Sequence, residues 1–259
     1  TSPSSSAEPG AVGPARLRTV LTSIDLGCAR VWCTDRRGGV SRPPYDSMNL
    51  AVHVGDDPLD VRRNLMHLAH ACEGTPVDPD AWVFVNHVHG TDVLRLESAP
   101  AGRPDADGAA TDVVGLPLVA IGADCAPIAL ANDTACAAIH SGWRGLGAGV
   151  VAEGVAAVRA LGSGPVRALV GPCVSAAHYE FGADDLARLA DALGPEVVGE
   201  TDAGRPALDL RAGIHAALRA AGVVEVLDDA RCTVADPTLF SFRRDGVTGR
   251  QGMVVMRIR

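Results

Sequence analysis

With 259 residues, 47% of them hydrophobic and 21% charged, the chain can bury a sizeable core. A formal charge of -8 excludes a surface built to coat nucleic acid, because phosphate binding needs a basic face. Gly, Asp, Pro or Arg interrupts every apolar run before it reaches membrane-spanning length, so no membrane association is expected.

The chain opens with TSPSSSAEPGAVGPAR, residues 1–16, rich in Ser, Pro and Gly and without an apolar h-region. This reads as a disordered tail and not a signal peptide. The domain expected to follow spans residues 17–259. ARVWCTDR reads as its first strand. GGVSRPPYDSMNLAVHVGDDP comes next, an irregular stretch carrying Tyr45, Asn49 and His53. Structureless segments of this length inside compact domains are usually functional or disordered, and these three residues favour a functional one.

DPLDVRRNLMHLAHACEG predicts a helix capped by Asp57, with Pro58 in its first turn and Gly74 at its end. Val61, Leu65, Leu68, Ala69 and Cys72 form its apolar face. AWVFVN, DVLRLE, PLVAIGAD, APIALAN and ACAAIHS then read as strands buried on both faces. A helix is expected from about Gly147 to Leu161, then a strand at VRALVGP. ADDLARLADALG and LDLRAGIHAALRAAG read as amphipathic helices, the second capped by Asp209, and VVEVLD and MVVMRIR as the last strands. With no βαβ rhythm, no repeat and no linker, these elements predict one α+β domain, a mixed β-sheet sandwich flanked by helices. Seven cysteines at irregular spacing, without a C-x-x-C, do not suit a disulfide framework and favour a reducing cytoplasm.

Four segments share a design in which an apolar strand ends in reactive residues: VFVNHVHGTDV, VAIGADCAPIAL, AAIHSGWRG and ALVGPCVSAAHYEFG. Their ends are expected to converge on one sheet edge and gather His87 or His89, Asp124, Cys125, His140 and Cys173. Each has a plainer reading. Cys125 and Cys173 suit inert core thiols, His140 a hydrogen-bonded core histidine, and Arg144 a carboxylate's partner. The His87–His89 pair places both rings on one strand face. The glycines from Gly142 onward serve either packing or phosphate binding at a helix N-terminus.

Taken in order, the blocks VHG, ADCAPI, HSGWRG and GPC followed by HYEFG resemble the signature of the YfiH-type laccase-domain family. Its members are also called polyphenol oxidoreductase or purine nucleoside phosphorylase family proteins. RRGGVSRPPYDSMNLAVHVGDDP and DPTLFSFRRDGVTGRQGMVV extend the resemblance over nearly everything after the tail. It implies a catalytic zinc held by His89, Cys125 and His140. One thiolate and two imidazoles suit zinc, with copper the second choice, and three protein ligands leave the fourth position open. The chain departs from the family pattern at His87, where a Gln is usual, and at Ser141, where an Ala is usual.

The resemblance further implies phosphorolysis of adenosine, inosine and methylthioadenosine, and deamination of adenosine. The partners are then a purine nucleoside and phosphate; no protein partner is readable. Ser41, Asn49 and Arg144 are the expected substrate contacts, and Arg36, Arg37, Arg243 and Arg244 further anion candidates. Tyr179, Phe181, Phe240 and Phe242 suit either a purine face or the core. Three other readings compete. A copper polyphenol oxidase is disfavoured by a single H-x-H among eight histidines. A Cys–His hydrolase, linked to peptidoglycan editing, would use Cys125 as nucleophile and His140 or His89 as base. A non-catalytic binding module would carry structural zinc, which normally has four protein ligands.

Overall fold

The computed structural model describes residues 21–259, so the tail expected over residues 1–16 lies outside the described residues. The strands run β1 Leu21–Leu26, β2 Ala29–Thr34, β3 Val83–Phe84, β4 Val93–Arg95, β5 Gly108–Thr111, β6 Leu118–Gly122 and β7 Ala126–Ala131. They continue with β8 Cys136–Ser141, β9 Arg167–Val170, β10 Val198–Glu200, β11 Pro206–Leu208, β12 Glu225–Asp228 and β13 Gln251–Arg257. The helices are α1 Pro58–Ala71, α2 Trp143–Ala148, α3 Val150–Leu161, α4 Ala183–Leu193, α5 Leu210–Ala220 and the short α6 Phe242–Asp245.

One sheet has the order β1-β2-β13-β6-β3 and the other β12-β9-β7-β8-β5-β4, both mixing parallel and antiparallel pairs. Strand alternation sorts their side chains between two faces. Val31, Cys33, Leu118, Ala120, Met253 and Val255 meet Ala129, Ala131, Cys136, Ala138 and Leu169 between the sheets. The intervening residues Trp32, Val119, Ile121 and Val254 face outward onto α1. On the second sheet Ile128, Leu130, Ala137 and Ile139 face α2 to α5. Each large apolar side chain wholly withdrawn from water here contributes about 1.5–3 kcal/mol. The sandwich with flanking helices is therefore the observed architecture, in one domain.

Local signals set α1 as expected: the Asp57 side chain accepts from the Leu59 amide, Pro58 occupies the first turn, and Val61, Leu65, Leu68, Ala69 and Cys72 are buried. The helix ends at Cys72, short of Gly74. The single helix expected from Gly147 is instead two, because Gly149 takes a left-handed φ of 103° that closes α2 and restarts the chain as α3. AWVFVN shrinks to the two residues of β3. DVLRLE is a partly exposed edge strand, paired only with β5, not a strand buried on both faces. Four strands carried no readable signal: β1, β5, β10 and β11, whose sequences lack a run of bulky apolar residues.

Candidate metal centre and adjoining cavity

The chain crosses from the first sheet to the second between β6 and β7, and Cys125 sits on that crossing. His140 is the penultimate residue of β8, directly opposite the start of β7. His89 lies on the loop after β3 at a φ of 60°, a backbone turn uncommon for a residue with a side chain. Three elements from two sheets thus bring one ligand atom each of His89, Cys125 and His140 within 4.8 Å of one another. The expected convergence therefore occurs at the junction of both sheets and not along one sheet edge.

Cys125 Sγ lies 3.9 Å from His89 Nε2. Around a tetrahedral zinc with ordinary bond lengths, ligand atoms stand about 3.3–3.6 Å apart, so the three atoms, which lie within 4.8 Å of one another, would draw together to hold such an ion. The backbone of the next turn is fitted around this set. A Cβ on Gly142 would meet His89 Cδ2 at 2.9 Å and Cys125 Sγ at 3.0 Å, and one on Gly145 would meet the Gly90 carbonyl oxygen at 2.8 Å. Those contacts require glycine, and they explain why the turn after His140 carries it.

Asp107 braces the cluster. Pairing of Gly108 with Ile139 sets it opposite His140, whose Nδ1 donates to Asp107 Oδ1 at 2.9 Å. Its carboxylate also accepts from the His89 amide at 2.9 Å and the Gly90 amide at 2.6 Å. One buried carboxylate therefore orients one ligand ring and pins the loop of another, the arrangement that holds metal-binding histidines in other proteins. Burial works to raise the Asp107 pKa, but the His140 bond and the two amides outweigh it and hold the carboxyl below its ordinary value. Asp107 was missed in the sequence because β5 was missed; only the strand register reveals it.

Without metal the ligands hold each other's charge. Burial opposes a Cys125 thiolate, but hydrogen bonding from His140 and His89 overrides it and lowers the thiol to about 6. Burial likewise opposes a charged His140, yet Asp107 and Cys125 raise it to about 9. His87 stacks on His140 with ring centroids 4.2 Å apart and planes 4° from parallel. It follows β3 and lies on no strand, so the expected strand-face pairing with His89 is replaced by this stack. Burial, reinforced by the neighbouring imidazoles, pushes the His87 pKa well below the ordinary histidine value, and its buried Nε2 has no hydrogen-bond partner.

A cavity of about 430 Å³ opens over the cluster, a size that suits a small-molecule ligand. Tyr179 and Phe242 contribute aromatic walls, and Arg144, Arg243 and Arg250 contribute cations. Arg144 lies 4.4 Å from the Trp143 ring centroid and Arg243 4.1 Å from that of Tyr179. Among the described residues none of the three arginines forms an ion pair, so the expected brace between Arg144 and a carboxylate is absent. Arg250 is the second residue the sequence reading missed. Burial lowers its pKa, and its Nη1 donates to the Thr248 and Gly249 carbonyls.

Several expected site residues lie elsewhere. Asn49 is buried, donating to the Ala51 carbonyl and Asp56 and accepting from the Ala51 and Arg250 amides. Ser41 is buried and accepts from Asn64. Neither lines the cavity, and their bonding assigns them to the scaffold of the loop. Arg36 pairs with Asp46, Arg37 with Asp35, and Arg244 with Asp245 and the Leu239 carbonyl. Phe240 is a core residue and Phe181 packs on Trp143 and Tyr179. Cys173 is buried and contributes no atom to the cluster. Asp124, at a φ of 110°, spends its carboxylate on Thr233, Ser241 and the Arg243 amide. Unlike the others it lines the cavity, with that carboxylate already committed.

Residues 30–258 match the family described as multi-copper polyphenol oxidoreductase laccase. A purine nucleoside phosphorylase of Mycobacterium tuberculosis is 43% identical over 228 residues, covering 86% of this chain and 89% of that one. The purine nucleoside phosphorylase YfiH of Escherichia coli is 34% identical over 234 residues, covering 87% and 93%. A crystal structure of a Neisseria meningitidis protein superposes with a TM-score of 0.82 at 33% identity, covering 92% of this chain and 98% of that one. YlmD from Geobacillus stearothermophilus gives 0.80 at 30%, covering 90% and 93%. By sequence over nearly the whole described chain, and by fold, the chain belongs to the YfiH-type family of laccase-domain proteins.

Proposed function

We propose that residues 17–259 form a zinc-dependent purine nucleoside enzyme. It phosphorolyses adenosine, inosine and methylthioadenosine and also deaminates adenosine. The observation that carries this reading is a His–Cys–His ligand set on the floor of a cavity whose walls offer aromatic faces and unpaired arginines. The relatives' name, purine nucleoside phosphorylase, agrees with it.

Zinc, when bound by His89, Cys125 and His140, supplies Lewis acidity at the cavity floor. Asp107 keeps the Nδ1 proton on His140 and so turns its Nε2 toward the cluster. Tyr179 and Phe242 give the purine apolar faces to stack on. Arg144, Arg243 and Arg250 supply positive charge for the phosphate cosubstrate, and charge-assisted bonds of this kind hold phosphate firmly. A bound phosphate also faces the positive charge that develops on the ribose as the glycosidic bond breaks. The reading places the enzyme in the cytoplasm, where a thiolate ligand such as Cys125 stays reduced. No helix among the described residues is long and apolar enough to cross a membrane.

The Cys125–His140 pairing also favours a second reading, a thiolate nucleophile beside an imidazolium in a Cys–His hydrolase. Elemental analysis of the native protein, together with base and ammonia release from the three nucleosides with and without phosphate, separates the two. About one zinc per chain and phosphate-dependent release of free base are expected. Stoichiometric copper, or no turnover of any of the three nucleosides, rejects the proposal.

A further inference from the structure

A second pair of reactive side chains lies outside the metal centre. Cys173 follows β9 and Cys232 follows β12, and the two residues face each other in an isolated parallel bridge. Neighbouring strands run about 4.8 Å apart, inside the Cα separation of roughly 4.4–6.8 Å that a disulfide spans. Both residues are free thiols. Their surroundings differ in a way that suits unequal roles. Cys232 is half-buried, and its Sγ accepts from the Ser175 hydroxyl at 3.2 Å and the Ser175 amide at 3.4 Å. Cys173 is wholly buried, and its Sγ accepts from Arg211 Nη2 at 3.4 Å.

We propose that Cys232 and Cys173 form an oxidisable dithiol, with Cys232 the thiol that meets a hydroperoxide and Cys173 the thiol that resolves it. The Cys232 thiolate attacks one peroxide oxygen and the O–O bond breaks. Water or an alcohol leaves after taking up a proton, and Cys232 becomes a sulfenic acid. The Cys173 sulfur then attacks the Cys232 sulfur; an S–S bond forms, the S–O bond breaks, and hydroxide leaves as water with the Cys173 proton. Two electrons pass from the dithiol to the peroxide. The donors on Cys232 stabilise its anion: burial raises its pKa, but the Ser175 hydroxyl and the Ser175, Ala235 and Val234 amides outweigh burial and lower it. Burial pushes the Cys173 thiol up to about 12, so it stays protonated until the Arg211 guanidinium can steady the anion formed during resolution.

The pair lies close behind the cavity wall. Thr233, next to Cys232, donates its hydroxyl to Asp124 at 2.7 Å, and Asp124 also holds the Arg243 amide. A bridge from Cys173 to Cys232 therefore closes within the frame that positions Arg243.

The test treats the metal-loaded full chain with a small excess of hydrogen peroxide, blocks remaining thiols, and maps unreduced peptides by mass spectrometry. A loss of about 2 Da, a Cys173–Cys232 linked peptide and its reversal by dithiothreitol are expected. In Cys173→Ser the sulfenic acid should persist on Cys232 and take up dimedone. Cys232→Ser should abolish both products. Should the serine variants fail to fold, the wild-type map decides alone. Oxidation that leaves both residues as free thiols, or a disulfide joining Cys232 to any other cysteine, overturns the proposal.

Discussion

The loop between β2 and α1 and the wall of the cavity are both crowded with buried polar side chains, yet they behave oppositely. In the loop every such group is answered. Asn64 donates to Ser41, to the Ser47 carbonyl and to the Asn49 carbonyl and accepts from the Val40 amide, while Asn49 ties Ala51, Asp56 and Arg250 together. At the cavity the accounts stay open. Among the described residues His87 Nε2 has no hydrogen-bond partner and Arg144, Arg243 and Arg250 pair with no carboxylate, while His89, Cys125 and His140 gather one possible ligand atom each. A polar network that satisfies itself builds shape, whereas one that leaves valences free awaits a ligand. Residue type alone does not separate the two, since Gly, Asp, Arg and His occur in both.

Substitutions at the two places should therefore fail in different ways. The largest effect is expected for Cys125→Ala, which removes a proposed zinc ligand. Zinc affinity and turnover should fall by more than about 100-fold, beyond what changes outside the ligand shell cause, with the fold retained by circular dichroism. Zinc content equal to native would refute the ligand assignment. Asn64→Ala is the opposite case. Losing its loop bonds should cost about 1–3 kcal/mol of stability, read as a lowered melting temperature, while zinc per folded chain stays constant. A loss of zinc without a loss of stability would erase the distinction between the regions.

Asp107→Asn tests the brace and should weaken zinc binding about 10- to 100-fold, as measured by competition with a chelator. Arg144→Ala should raise the phosphate KM about tenfold, the low end for a charge-assisted contact at an exposed site. Deamination, zinc and melting temperature should stay unchanged, because Arg144 has no carboxylate to lose. If both reactions drop together with the melting temperature, the arginine serves the fold. His87→Gln should have the smallest effect: zinc content should stay native and turnover should change less than about threefold. A fall in zinc there would make His87 a ligand.

What could be read in the sequence was local. Asp57, Pro58 and the spacing from Val61 to Cys72 define α1 within a single stretch, and the apolar runs of β7 and β8 are equally self-contained. The grouping of His89, Cys125 and His140 was legible through its family blocks, each of which is contiguous. What stayed hidden depends on register and on φ. GAAT has too little bulk to announce β5, and without β5 nothing sets Asp107 against His140. Among the glycines around α2, only the backbone shows that Gly149 is the one that turns left-handed. Ser41 and Asn49 resembled binding residues because a loop polar enough to bind a ligand is also polar enough to bind itself.

The placement of β13 bears on how the molecule is made. This strand, Gln251–Arg257, lies between β2 and β6 and bonds to both. On the ribosome β2 emerges more than two hundred residues before its neighbour, so the first sheet stays split while the rest of the chain is synthesised. Such distant pairing slows folding, and it leaves the backbone edges of β2 and β6 open to the nascent chains of neighbouring ribosomes. Cys125 follows β6 directly, so its position also becomes fixed late. Metal uptake should then follow synthesis of β13, and growth conditions that stall translation before it should enrich aggregates low in zinc.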